Sequence, residues 1–300
     1  MGESTSEQYP TYVVTDEQRE LWQIEVELLE KFKQICKKYG MQYYASSGTL
    51  LGAVRHKGFI PWDDDIDLFL KWKDYKKFIK VAPCECQYPY FFQDHHTETE
   101  GEASACRIRR SDTTGCTKWE AENITNPEYN RGVFIDIFPL FELPNSLFGR
   151  HFQKKMVMFW WKCIRGHDAL REIQNGKISK YEVYIKYFRF ARLLFDITTI
   201  KDHYLSACAF HGIHVKATAE LGATSSRIHQ PNLIWNAKAY RETIELPFEN
   251  TTISCPIEYE EVLSKQYGAW QVPVMNGARH EMTVLDIKHP YTDYFANSSK

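Results

Sequence analysis

An acidic stretch that runs directly into apolar residues constrains this chain more than any other feature of its sequence. It reads Asp63-Asp64-Asp65-Ile66-Asp67 and continues as Leu68-Phe69-Leu70. Because side chains alternate between the two faces of a strand, we predict a strand over residues 63–70 with Asp63, Asp65 and Asp67 on one face. Carboxylates about 7 Å apart on one face repel one another unless a cation neutralises them. Their hard oxygens suit Mg²⁺ or Mn²⁺, so the stretch predicts a divalent-metal site.

Two other interpretations compete with a metal site. A solvated acidic loop is the structural alternative, but Trp62 before the acids and the apolar run after them are unusual for an exposed loop. A calcium-binding EF-hand loop that starts at Asp63 requires glycine at position 68 and glutamate at position 74. The chain has Leu68 and Asp74 at these positions, which excludes the EF-hand.

A turn of small residues precedes the acids and reads Ser47-Gly48-Thr49-Leu50-Leu51-Gly52. Between a short strand and a short helix, such a turn offers backbone N–H groups and a helix N-terminus to an anion. Arg55 and Lys57 follow at once and would add cationic side chains for phosphate. We therefore predict phosphate contacts at Gly48, Thr49, Arg55 and Lys57, although a simple connecting turn explains the same residues equally well.

A single acid interrupts a later apolar strand, Val133-Phe134-Ile135-Asp136-Ile137-Phe138, which we expect Pro139 to end. A buried carboxylate is costly unless it is paired or bound to a metal. The structural interpretation is a salt bridge, for example with Arg131. The functional interpretation places Asp136 beside Asp65 and Asp67 as a further metal ligand or as a general base.

Strand patterns dominate the first half of the chain and helix patterns the second, which predicts an α+β (mixed α/β) fold with a core sheet and a largely helical second half. We expect a tail at residues 1–14, a catalytic core at 15–145 and a mostly helical acceptor or insert region at 146–240. Residues 241–300 are predicted to form C-terminal strands and a helix that pack back on the core.

Capping signals predict where two of the helices begin. Thr15 with Gln18, and Ser179 with Glu182, have the spacing of capping boxes. The second box is expected to open one long helix that runs to about Thr198.

Composition excludes several classes of protein. Hydrophobic residues make up 43% and charged residues 25%, which is ordinary for a globular chain, and the formal charge of -2 argues against nucleic acid as a partner. No stretch approaches the roughly 20 apolar residues of a membrane span, and the N-terminus lacks the pattern of a signal peptide. The eight scattered cysteines are typical of reduced thiols, so we predict a cytoplasmic protein. The basic and aromatic segment 148–164 adds a peripheral contact with the inner face of the membrane as an alternative to core packing.

Three blocks of the chain resemble the LicD family, which includes the fukutin-related proteins and has a nucleotidyltransferase fold. The first block is Ser47 to Asp67, which holds the small-residue turn and the acids. The second is Asp136-Ile137-Phe138-Pro139-Leu140. The third comprises Phe248-Glu249, Pro256, Tyr259 to Leu263 and Tyr267-Gly268, so that the resemblance spans roughly residues 20 to 273.

The resemblance implies a metal-dependent phosphotransferase. Proteins of this family move phosphocholine from CDP-choline, or ribitol phosphate from CDP-ribitol, to a sugar hydroxyl and release CMP. For this chain it implies a CDP-alcohol co-substrate, CDP-choline by preference, a glycan or lipid-linked glycan acceptor, and Mg²⁺ or Mn²⁺. Asp65, Asp67 and Asp136 match the family's catalytic acids, Asp63 joins them as a metal ligand, and Gly48 and Thr49 match the phosphate-facing turn.

Two other functions compete with phosphotransfer. A metal-dependent glycosyltransferase also holds a nucleotide-sugar diphosphate with paired acids, but it breaks a carbon–oxygen bond. A non-catalytic glycan- or nucleotide-binding protein is the second alternative. The small-residue turn favours phosphoryl transfer over the first, and the costly acids at 63, 65, 67 and 136 argue against the second.

Overall fold

Helical and strand patterns combine in this chain into the α+β architecture that the sequence predicts. A computed structural model describes residues 12–101, 103–210, 220–223, 231–274 and 282–297. The helices of the described residues are α1 (Asp16–Tyr39), α2 (Ser47–His56), α3 (Trp72–Glu85), α4 (Lys118–Asn123), α5 (Leu147–Gln174), α6 (Ile185–Ala191), α7 (Ile197–Cys208), α8 (Tyr259–Tyr267) and α9 (Tyr291–Asn297).

Most of the strands belong to one mixed sheet. The strands are β1 (Tyr43–Ala45), β2 (Asp67–Lys71), β3 (Tyr90–Gln93), β4 (Cys106–Arg110), β5 (Thr114–Cys116), β6 (Val133–Glu142), β7 (Glu220–Ala223), β8 (Ile234–Asn236), β9 (Thr243–Phe248), β10 (Thr251–Pro256) and β11 (Val284–Asp286). The main sheet has the order β1-β2-β6-β4-β3, and β7 pairs with both β6 and β8. Strands β2 and β6 are parallel, and their register sets Asp67 opposite Asp136. The two acidic motifs are therefore neighbours at the start of this parallel pair.

Helix α1 begins and ends where the sequence predicts, but its first turn is built differently. Thr15 accepts a hydrogen bond from the backbone N–H of Gln18, and Gly40 ends the helix with a left-handed φ of 60°. The predicted capping box is wrong in its second half. The Gln18 amide reaches away from the cap and donates to the backbone carbonyls of Pro61 and Asp63.

Strand β6 runs straight through Pro139, so the predicted strand end at this residue is wrong. Strand β4 pairs with β6 as far as Ile137, and β7 pairs with it from Leu140 onward. Pro139 therefore lies between two ladders on this side of β6, where a missing N–H removes no ladder hydrogen bond. On the other side, Pro139 faces Leu70 of β2.

Two groups of buried apolar residues form the interior. The larger one surrounds the central strands and includes Leu28 and Phe32 of α1, and Phe78 of α3. The smaller one joins α5, α6 and α7 through residues such as Val157 and Ile200. Trp72 packs against both groups, so the helical region is anchored directly to the sheet.

The predicted single helix after Ser179 is wrong, because the chain turns within it. A 3₁₀ turn at Glu182–Tyr184 leads into α6, which ends at Ala191. Asp196 then begins α7 by accepting a hydrogen bond from the backbone N–H of Thr199 at 2.7 Å. An N-cap residue has extended rather than helical backbone angles, so one helix cannot continue through Asp196.

The C-terminal elements contact the core around the acidic motif. Strands β9 and β10 form a hairpin whose turn contains Glu249, with φ of 51°. Helix α8 contacts α2, and Gly268 ends it with φ of 67°. The domain boundaries at 145 and 240 stay predictions. In the part of the chain that the structure describes, no helix is both long and apolar enough to cross a membrane.

Candidate active site

The acidic stretch is a loop that enters a strand, and the prediction of a strand from Asp63 onward is wrong. Strand β2 begins only at Asp67. The backbone carbonyl of Asp63 accepts hydrogen bonds from the Trp22 indole at 2.9 Å and from the Gln18 amide at 3.3 Å. Helix α1 therefore holds the loop from behind. The backbone carbonyl of Asp63 accepts hydrogen bonds from side chains rather than from a neighbouring strand, so the sheet ladder begins only at Asp67.

The acids nevertheless alternate in burial, as the sequence pattern indicates. Asp63, Asp65 and Asp67 are partly exposed and line one cavity of about 760 Å³, which we call the acidic cleft. Asp64 and Ile66 are buried. The predicted acids therefore face a common space large enough for a nucleotide-sized ligand.

Helix α2 begins at the wall of the acidic cleft. Ser47 and Gly48 line the cleft, and Ser47 has the left-handed φ of 47°, which is uncommon for a residue other than glycine. The N-cap residue, Ser46, makes no side-chain hydrogen bond to this helix. Its first N–H groups are therefore placed to meet an anion in the cleft, as the turn motif predicts.

Gly48 is required by its closeness to the acids. A Cβ atom on Gly48 would lie 2.4 Å from Oδ2 of Asp63. Thr49 serves the same junction from the other side, because its hydroxyl accepts a hydrogen bond from the backbone N–H of Asp67 at 2.8 Å. Thr49 is buried, so the structure gives it a role in holding the acidic loop.

The two predicted cations lie in different places. Arg55 lines the acidic cleft and donates to the backbone carbonyl of Trp270 at 2.8 Å. Lys57 is exposed and follows the last residue of α2, roughly 15 Å of helix from Ser47, and it is not among the described residues that line the cleft. The geometry therefore supports Arg55 as a phosphate contact and gives no support to Lys57.

Asp136 lies beside Asp67 on the neighbouring strand, but its carboxylate is turned into a buried ion-pair network. Its partner is Arg107, whose Nε donates to Oδ1 at 2.7 Å, and the proposed bridge to Arg131 is wrong. Arg131 donates instead to backbone carbonyls, including that of Ile124. Arg107 also donates to Glu120, which accepts further hydrogen bonds from Arg109 and the Tyr129 hydroxyl.

Glu120 is the central acid of this network. Burial acts to raise the pKa of Glu120, but the guanidinium groups of Arg109 and Arg107 outweigh it and lower the pKa to about 2. The carboxylate also closes a capping box with Thr117 at the start of α4. The network therefore ties Asp136 to the helix that carries Thr117 and Trp119 into the acidic cleft.

Four aromatic residues line the acidic cleft without having been predicted as site residues. They are Trp62, Trp119, Tyr267 and Trp270. Burial raises the pKa of the Tyr267 phenol, and the carboxylates of Asp67, Asp63 and Asp65 raise it further, so this hydroxyl stays protonated. The Tyr267-Gly268 block was a usable signal for Tyr267, whereas no local pattern around Trp119 indicates the cleft.

The donor set of the acidic loop fits a hard divalent cation. Carboxylate oxygens of Asp63, Asp64 and Asp65 lie within 4.8 Å of one another. Asp64 belongs to this group because the segment is a loop, so neighbouring side chains can converge, which strand alternation forbids. All-oxygen ligands of this kind suit Mg²⁺ or Mn²⁺.

A second group of metal-ligating side chains lies at the end of β3. Nε2 of His95 and Nε2 of His96 are each 2.9 Å from the same oxygen of Asp202 on α7. His95 is buried and His96 is exposed. Hydrogen bonds to Asp202 account for both rings, so no metal is needed to explain this group.

Comparisons with known proteins match the part of the chain that contains the acidic cleft. Residues 40–162 match the family described as LicD/FKTN/FKRP, nucleotidyltransferase domain. The match contains the small-residue turn, the acidic loop and Asp136. Residues 40–162 therefore match the nucleotidyltransferase domain of the LicD/FKTN/FKRP family, and the resemblance predicted from the sequence is confirmed.

Individual relatives extend this match beyond the domain. The chain is 25% identical to the lipopolysaccharide cholinephosphotransferase LicD of Haemophilus influenzae over 256 aligned residues. The alignment covers 80% of this chain and 86% of that protein. It is 40% identical over 63 residues to the ribitol-5-phosphate transferase FKTN of Mus musculus, 21% of this chain and 14% of that protein. An uncharacterized protein of Rickettsia typhi is 40% identical over 57 residues, 19% of this chain and 18% of that protein.

Proposed function

We propose that this protein is a LicD-like phosphotransferase that moves a phospho-alcohol, by preference phosphocholine, from a CDP-linked donor to a sugar hydroxyl. The observation that carries the proposal is the acidic cleft, in which three aspartates and the start of α2 line one cavity. A diphosphate needs both a cation between its oxygens and donors around them, and the two sides of the cleft offer one each.

The reaction exchanges one phosphorus–oxygen bond for another. The acceptor's hydroxyl oxygen bonds to the phosphorus that carries the alcohol, the bond from that phosphorus to the bridging oxygen breaks, and CMP leaves with the electron pair. The hydroxyl proton passes to a base or to water. A resident divalent cation would supply neutralisation of the charge that builds up on the phosphate oxygens.

The acids of the cleft would hold that cation. Asp63 and Asp65 offer converging oxygens, Asp64 stands next to them, and Asp67 lines the same space. Asp136 fits the role of a positioning acid, because it is not among the described residues that line the cleft. Its Oδ1 accepts a hydrogen bond from Nε of Arg107 at 2.7 Å, and this ion pair holds the carboxylate inside the buried network.

The aromatic residues of the cleft suit both ends of the proposed donor. Trp62, Trp119, Tyr267 and Trp270 offer ring faces on which a cytosine base can stack. A quaternary ammonium is also held well by aromatic rings next to carboxylates, which favours choline over an uncharged alcohol. Arg55 and the start of α2 would contact the diphosphate between these two ends.

The acceptor is proposed to be a cell-surface glycan or its lipid-linked precursor, reached from the cytoplasmic side. The first turns of α5 support contact with an anionic membrane surface. Leu147 and Phe148 are 87% and 82% exposed, and Arg150, Lys154 and Lys155 follow them on the same helix. Exposed apolar side chains next to cations are typical of peripheral membrane segments.

The proposed function is tested by release of CMP. The protein is incubated with CDP-choline, CDP-ribitol or CDP-glycerol, each with Mg²⁺ or Mn²⁺, and CMP is measured by chromatography with and without glycan. We expect glycan-stimulated CMP release with CDP-choline and loss of the activity in EDTA. Turnover of UDP-sugars in place of CDP-alcohols would transfer the assignment to the glycosyltransferase alternative. Binding of CDP-choline without turnover would favour the non-catalytic one.

A further inference from the structure

A second cavity, which we call the side pocket, opens next to the acidic cleft. It has a volume of about 180 Å³, and Thr117 and Trp119 line both cavities. The volume is many times what a single water molecule requires. The side pocket and the acidic cleft therefore adjoin each other at these two residues.

The walls of the side pocket come from both regions of the molecule. The core supplies Glu100, Arg107 and Glu120, and the helical region supplies Arg165 and Asp168 from α5 and Lys201 from α7. Only the docking of α5 and α7 on the core creates this space. It is thus a product of the region that carries no family motif in the sequence.

The charged side chains of the side pocket are matched in sign and held in place. Arg165 donates to Asp168 at 2.9 Å, and Arg107 donates to Glu120 at 2.9 Å. Nζ of Lys201 donates to the backbone carbonyl of Gly101. With three acids matched by three cations, the pocket has no excess negative charge to attract a quaternary ammonium.

One carboxylate at the wall has an unmet hydrogen bond. Glu100 pairs with Arg171 through Oε1, whereas its Oε2 is buried and has no hydrogen-bond partner among the described residues. A buried carboxylate oxygen without a donor is destabilising, and a ligand hydroxyl at this wall would supply the missing donor. Trp119 offers an indole surface at the entrance for the apolar face of a sugar ring.

We propose that the side pocket binds the monosaccharide unit of the acceptor that receives the phospho-alcohol, an inference that rests on the proposed phosphotransferase activity. The sugar ring lies among the paired charges. Its reactive hydroxyl passes Thr117 and Trp119 into the acidic cleft. Glu100 and Asp168 are specificity-determining residues, because their oxygens accept hydrogen bonds from the sugar hydroxyls.

The test measures sugar binding without donor or metal, by saturation-transfer NMR with D-glucose, D-galactose and their N-acetylamino counterparts. We expect at least one sugar to bind the wild-type protein. Glu100→Gln and Asp168→Asn are each expected to raise its dissociation constant about tenfold or more, since each weakens a charged hydrogen bond. Asp112→Asn is the matched control, because it breaks a similar pair with Arg110 away from both cavities and should leave binding unchanged.

A kinetic arm separates this inference from the proposed function. With CDP-choline as donor, the two side-pocket variants should raise the KM for the glycan and leave the KM for the donor within about twofold. Thermal melts confirm that each variant is folded, and Glu100→Gln is the milder change if Asp168→Asn unfolds. Absence of sugar binding to the wild type, or equal binding to wild type and both variants, overturns the side pocket as an acceptor site. Sugar binding that obeys the prediction in a protein that turns over no CDP-alcohol contradicts the donor assignment alone.

Discussion

Two acidic regions adjoin each other in this molecule and differ in what faces their carboxylates. In the acidic loop, oxygens of Asp63, Asp64 and Asp65 converge on one another at the edge of a solvent-accessible cleft. In the buried network, Asp136 and Glu120 face guanidinium groups of the same chain. In the network each acid faces an arginine, whereas the converging oxygens of the loop have a geometry that suits a divalent cation.

The two groups of acids adjoin the same sheet, but the buried group belongs to an ion-pair network and the loop group is proposed to bind a ligand. Like charges held close together raise the free energy of the folded protein, and a ligand that neutralises them lowers it again. Opposite charges buried together contribute little net stability, but removal of one partner leaves an uncompensated charge. The same residue type, aspartate, is therefore expected to respond in opposite ways to substitution in the two regions.

The largest effect is expected from Asp65→Asn combined with Asp67→Asn. The double variant keeps the shape of the loop but removes two negative charges from the proposed cation site. CMP release should fall by about a thousandfold or more, because several kcal/mol of charge stabilisation in the transition state is lost. The melting temperature in EDTA should stay equal or rise, since repulsion between the acids is relieved.

The control for this variant is Asp16→Asn with Glu17→Gln, which removes two exposed charges from the first turn of α1. It should retain wild-type turnover. Near-normal turnover by the Asp65/Asp67 double variant would refute the metal site and leave the solvated acidic loop as its explanation.

A smaller but still large effect is expected in the buried network. Arg107→Ala leaves Asp136 and Glu120 buried without their shared cation, which should lower the free energy of unfolding by about 3–5 kcal/mol. Chemical denaturation with urea measures the change. Lys118→Ala, which removes one of two lysines that pair with the exposed Glu122, should cost less than about 0.5 kcal/mol. Equal costs for the two variants would contradict the distinction between the two regions.

The junction of α2 with the acidic loop is probed by Gly48→Ala. The added methyl group would meet Oδ2 of Asp63, so that loop and helix must separate, at a cost of about 1–3 kcal/mol and a clear loss of turnover. Gly40→Ala provides the comparison, because Gly40 has φ of 60° and nothing within 4 Å of an added Cβ. It should cost about 1 kcal/mol of stability through backbone strain and leave turnover unchanged. Loss of turnover in both variants would show that the effect is not local to the cleft.

The mildest test uses pH. The pKa of Glu120 is lowered from 4.5 to about 2 in the folded chain, so its ionised form is favoured by folding. This contribution is fully present above pH 4.5 and is lost as the pH falls towards 2. The melting temperatures of wild type and Glu120→Gln should therefore differ most near pH 7 and approach each other between pH 4.5 and 2. A difference that does not shrink over this interval would mean that Glu120 acts through packing alone.

Sequence reasoning located the main parts of the site because they are encoded locally. A small-residue turn before a helix and an acidic run before an apolar one are properties of adjacent residues, and the structure brings Gly48, Asp63, Asp65 and Asp67 to one place. The same reasoning misjudged the loop as strand, since alternation of burial from 63 to 67 looks alike in both. It missed Trp119, whose position follows from the fold of α4 and from no pattern of its own.

The amino-acid sequence alone determined the family, the α+β class and the acids that face the cleft, because these depend on contiguous motifs and on the alternation of apolar and polar residues. Only the tertiary structure decided the partner of Asp136, since Arg107 lies 29 positions away and reaches it across an antiparallel strand pair. It also decided the side pocket, whose walls join residues from Glu100 to Lys201. The packing of distant elements decides which charged side chains pair, and no spacing along the chain predicts which of several arginines contacts Asp136.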